Sequence, residues 1–81
     1  MKKEFILDLH SINDIKDFVR DIDFTILSDV DAMHDKYIVD ARSFLGLMSL
    51  SFNPVKVRIN SENELEIADF ADICRKYEVK E

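Results

Sequence analysis

The chain has 81 residues, of which 47% are hydrophobic and 35% charged, and a formal net charge of −6. That is enough apolar surface for one small globular domain over residues 1–81 and too much for a disordered chain. The acidic balance disfavours a nucleic-acid backbone or an anionic membrane as the main partner. A single cysteine, Cys74, excludes an intramolecular disulfide and a zinc site built from several cysteines. The start is basic, but Asp8 interrupts the apolar stretch after it, so neither an export signal nor a membrane span is expected, and cytosol is the expected location.

In chain order, Phe5, Leu7 and Leu9 alternate with Glu4, Asp8 and His10, which predicts a first strand with one buried face and Ile6 as the exception. Ser11 stands three residues before Asp14, a variant capping box, and Ile12, Ile15, Phe18, Val19 and Ile22 recur at helical spacing. Phe24–Ser28 and Lys36–Asp40 are β-rich and predict two strands joined by an acidic loop from Asp29 to Asp35. With no Gly in that loop, a tight primed turn is not expected.

Ser43 opens a short apolar helix that holds the only Gly, Gly46. By helical spacing Leu47 and Leu50 face the sheet together, while Phe44 and Met48 share another side. Asn53-Pro54 marks a turn, and Val55, Val57 and Ile59 alternate with Lys56, Arg58 and Asn60 as a half-buried strand. Leu65, Ile67, Ala68, Phe70, Ala71, Ile73 and Cys74 form the stripe of a last helix ending near Tyr77, with Glu62, Glu66 and Asp69 for its wet side. The order is β-α-β-β-α-β-α: an α+β chain whose three helices pack on one face of an open four-stranded antiparallel sheet.

The segment Arg42-Ser43-Phe44-Leu45-Gly46-Leu47-Met48-Ser49-Leu50 resembles the regulatory-serine segment of HPr, the phosphocarrier of the bacterial phosphotransferase system, in its Gram-positive form. The family pattern is Lys-Ser-Ile-Met-Gly-Val-Met-Ser-Leu, and Ser43, Gly46, Met48, Ser49 and Leu50 match it identically. The resemblance implies an HPr-like open-faced β-sandwich, with the same element order over nearly the whole chain. It also implies phosphorylation of Ser43 by HPr kinase/phosphorylase and recognition by a catabolite-control regulator. Arg42, Phe44, Leu45 and Met48 are then the partner-binding residues, and no cofactor is implied.

The family's carrier histidine lies at the N-terminus of the first helix, in a Gly-Leu-His-Thr-Arg-Pro-Ala type of pattern. Anchoring on Phe18-Val19 places Ser11 at the histidine, Asn13 at the arginine and Asp14 at the proline. A serine ester lacks the transfer potential of phosphohistidine, and Asp14 repels an approaching phosphate. Ordinary carrier activity is therefore expected to be absent, as in the HPr-like catabolite-repression protein Crh, which lacks the histidine and keeps the serine. The difference from Crh is Ser rather than Gln at the histidine position.

Two alternatives remain at this level. One is a working phosphocarrier using His10, one residue from the aligned position; the other is a binding module whose Ser43 only caps the helix. Self-association through an exposed edge or apolar patch is also left open. No metal site is expected: counting from Asp29, an EF-hand glycine position holds His34, so an acidic loop with at most adventitious binding through His34 is the reading. No catalytic set is legible, and the chain is not read as an enzyme.

Overall fold

Period-two burial runs through every inner strand of the sheet, and it fixes the register. The computed structural model describes residues 1–50 and 54–79, so Asn53 of the expected Asn53-Pro54 turn lies outside the described residues. Strands β1 (Glu4–Leu7), β2 (Val30–His34), β3 (Tyr37–Asp40) and β4 (Val55–Ile59) form an antiparallel sheet in the order β1-β4-β2-β3. Helices α1 (Ile12–Thr25), α2 (Phe44–Leu50) and α3 (Glu64–Arg75) complete the order β-α-β-β-α-β-α. This is the expected α+β open-faced sandwich.

The core joins Phe5, Leu7, Val30, Ala32, Val55, Val57 and Ile59 from the sheet to Ile15, Phe18, Ile22, Leu47, Ile67, Phe70 and Cys74 from the helices. On the opposite face, register aligns Ile6, Lys56, Met33 and Ile38 in one row and Glu4, Arg58, Asp31 and Asp40 in the next. The β1 edge is covered by residues 77–79: Asp8 N donates to the Tyr77 carbonyl and Val79 N to that of Ile6. Cys74 is fully buried, which pushes its thiol pKa up and leaves it a small core hydrophobe.

Several expectations are corrected. Phe24–Ser28 is not a strand, because α1 runs on to Thr25 and Ile26 N still donates to the Ile22 carbonyl. The buried stripe Ile15, Phe18, Ile22 continues to Ile26 at helical spacing, and that burial outweighs the local β-propensity of Phe24, Thr25 and Ile26. The segment Asp29–Asp35 is not a loop, since Val30 and Ala32 bury their side chains within β2 while Asp31 and Met33 take the other face. His34 therefore sits on a strand.

A tight turn does form: His34 pairs with Tyr37, which leaves Asp35 and Lys36 as a two-residue connection. Asp35 adopts φ 52, a left-handed conformation that aspartate tolerates better than most residues, so no Gly is needed. Ile12 and Leu65, assigned to apolar stripes, are exposed at the first turns of their helices. The last helix ends at Arg75, two residues before Tyr77, whose ring packs edge-on against Phe18 at 5.9 Å. Tyr77 is held protonated to higher pH than usual, by burial and by the neighbouring Asp21, Asp17 and Asp14.

Candidate functional site

Ser43 lies at the start of α2, reached from β3 through a tight bend. Asp40 makes that bend: its carboxylate accepts from Arg42 N at 2.8 Å and its carbonyl from Ser43 N at 2.9 Å. The Ser43 hydroxyl oxygen then accepts from Gly46 N at 3.1 Å, and the Ser43 carbonyl accepts from Leu47 N at 2.9 Å. Ser43 thus caps the helix as expected, and it remains exposed.

Gly46 has a steric reason. A Cβ there would stand 3.0 Å from Ser43 Oγ and 3.1 Å from Val39 Cβ, so the glycine permits both the close seat of α2 on β3 and the cap itself. Leu47 and Leu50 are buried, as their spacing predicts. Phe44 and Met48 are half-buried against the core, while Leu45 projects outward at 72% exposure. The surface beside Ser43 is therefore Leu45 flanked by parts of Phe44 and Met48.

Arg42 does not turn toward the serine. Its guanidinium donates to the carbonyls of Ile26 and Ser28, the latter at 3.0 Å, and lies 3.8 Å from Asp23. Helix α1 carries no basic residue in its own last turn, and Arg42 supplies the cation that its carbonyl end favours. From the other side, Glu66 of α3 accepts from Leu27 N at 2.7 Å, from Ser28 N at 3.1 Å and from the Ser28 hydroxyl. The hydroxyls of Ser28 and of nearby Ser61, with the amides of Leu27 and Ser28, hold the Glu66 carboxyl down at about 2 against an opposing burial effect. Glu66, assigned to the wet side of α3, instead closes a clamp on residues 26–28.

At the opposite end of α1, the Ser11 hydroxyl accepts from Asp14 N at 3.1 Å and caps that helix. His10 is exposed, with its Nε2 3.4 Å from an Asp8 carboxylate oxygen. Helix α1 has 14 residues, so roughly 20 Å separates His10 and Ser11 from the α1 end that meets Arg42. The two candidate sites are thus not one site. Among the described residues, no cluster of ligating side chains suits a metal ion and no helix is long and apolar enough to cross a membrane.

This architecture is an HPr-like fold. A solved structure that shares it is the crystal structure of HPr-C-His from Thermoanaerobacter tengcongensis, with a TM-score of 0.68, 24% identity and 93% of each chain covered. No protein-family model matches the chain. No curated protein matches it either.

The clamp around Leu27 is not foreseen by sequence reasoning. Its signal is Glu66 four residues before buried Phe70 and seven before Ile73, on the edge of the α3 stripe and not on its wet side. A second signal is the pair Phe24 and Leu27, large apolar residues off the α1 stripe.

Proposed function

We propose that this chain is a single-domain, cytosolic, HPr-like protein that has lost carrier chemistry and acts as a regulatory or protein-interaction module through Ser43. The observation that carries the reading is the exposed Ser43 at the start of α2, with 72%-exposed Leu45 two residues on. Transfer of a phosphoryl group from ATP to Ser43 Oγ releases ADP and the hydroxyl proton. It adds about −1.5 to −2 charge at the positive end of a helix, beside an apolar patch. Such a mixed surface suits recognition by another protein.

The partners by resemblance are HPr kinase/phosphorylase and a catabolite-control regulator, with Phe44, Leu45 and Met48 as the apolar contact. Arg42 contributes charge to this patch only if it leaves the Ile26 and Ser28 carbonyls. The loss of carrier chemistry is supported by Ser11, whose hydroxyl is used as a cap, and by Asp14 in the same turn.

The test is incubation with HPr kinase/phosphorylase and ATP, followed by binding to the regulator. The expected result is one phosphate on Ser43 and a gain in binding that Ser43→Ala abolishes and Leu45→Ala weakens. No phosphate, with an authentic HPr control labelled, removes the reading.

A further inference from the structure

Besides the α2 patch and the open sheet face that carries Ile6 and Ile38, the described residues expose large apolar side chains where α1 stops and α3 begins. Leu27 is 95% exposed, Phe24 84% and Leu65 79%. The 2.7 Å hydrogen bond from Leu27 N to the Glu66 carboxylate ties the Leu27 backbone to the first turn of α3, the turn that also carries Leu65. None of the three contributes to the core.

The backbone beneath Leu27 is fixed on both sides of the residue. Arg42 takes the carbonyls of Ile26 and Ser28, and Glu66 takes the amides of Leu27 and Ser28. Two charged side chains from different parts of the fold thus order residues 26–28 of the four-residue connection, and the central one of these three projects its side chain into water. Pre-ordering of this kind lowers the conformational cost of using an exposed side chain as an anchor.

The rim decides what the anchor meets. Asp23, Asp29, Glu62 and Glu64 are exposed on the segments that carry it; Lys3 pairs with Glu62 at 2.8 Å and Arg42 lies 3.8 Å from Asp23, so four acids meet two cations and the rim keeps a net negative charge. A second copy of this chain would set acids against acids, which disfavours self-pairing here. From the clamped, exposed Leu27 in this acidic rim, we infer that the α1–β2 connection and the first turn of α3 form a docking surface for a protein partner presenting an apolar pocket or helix face edged with Lys or Arg. Leu27 is the central anchor, with Phe24 and Leu65 on the adjoining turns of α1 and α3, and the carboxylates set orientation and association rate. The unmodified chain already presents this surface.

The probe is a synthetic amphipathic helical peptide with leucines on one face and lysines on the other, titrated into the isotope-labelled chain at physiological salt. Amide shifts are expected at residues 23–29 and 62–66, with at least a tenfold loss of affinity in Leu27→Asp and in Phe24→Ser and none in Ser43→Ala. A peptide with glutamates in place of the lysines is expected not to bind. Both substituted side chains are exposed, so the melting temperature should stay close to that of the parent chain and confirm folding. Three results overturn the inference: shifts spread over other acidic surfaces, affinity retained in Leu27→Asp, or a dimer of the unmodified chain that Leu27→Asp dissociates.

Discussion

A serine cap stands near each end of α1, one opening α1 itself and one opening α2, in different surroundings. At its start, Ser11 caps the helix beside Asp8, Asp14 and an exposed His10; at its finish, the turn is clamped by Arg42 and Glu66, next to the Ser43 cap of α2. Both serine oxygens accept from the backbone N–H three residues on, each at 3.1 Å. Capping chemistry therefore does not tell the two serines apart. What differs is that the first turn of α2 holds no acid, with Asp40 engaged on Arg42 N in the bend before Ser43, whereas Ser11 has Asp14 in the first turn of its own helix to repel a phosphate.

The strongest test of this contrast is Gly46→Val. The new Cβ meets Ser43 Oγ and Val39 Cβ at 3.0 and 3.1 Å, and the strand side cannot yield freely. A loss of about 1–3 kcal/mol is expected by chemical denaturation. An unchanged midpoint would show that α2 is not seated closely on β3.

Glu66→Gln probes the clamp through acid. The Glu66 carboxyl titrates at about 2 in the folded chain against its ordinary 4.5. Because the folded value is depressed, its stabilisation is complete above the ordinary value and is lost as pH falls from 4.5 toward 2. Thermal melts across that window should show a shallower decline for Glu66→Gln than for the parent chain. Identical slopes would mean that the carboxylate does not hold residues 26–28.

Smaller effects are expected from the caps themselves. Ser11→Ala and Ser43→Ala should each cost about 1 kcal/mol, since each removes one acceptor for an otherwise unpaired helix N–H. Near-equal values would confirm that the starts of α1 and α2 differ in surroundings and not in local stability.

The fold was legible wherever burial and period agree. Val55, Val57 and Ile59 gave β4 with its correct faces, and Leu47 with Leu50 gave the inward side of α2. It was illegible where composition masks period. Val30 and Ala32 alternate correctly but sit among aspartates, and Phe24-Thr25-Ile26 looks extended although Ile26 completes a helical stripe. Of the candidate site, the Ser43 cap was accessible from the sequence, whereas which of Phe44, Leu45 and Met48 stays exposed was not. The engagement of Arg42 with carbonyls sixteen and fourteen residues earlier was not, because it depends on α1 ending beside the start of α2.

The most direct measurement of where function resides is to offer the chain both phosphoryl donors and map the product. One sample receives HPr kinase/phosphorylase with ATP, the other enzyme I with phosphoenolpyruvate, and peptide mapping follows with and without acid treatment. The account predicts an acid-stable phosphate on Ser43 in the first sample and none on His10 or Ser11 in the second. An acid-labile phosphate on His10 would contradict it and return the chain to carrier chemistry.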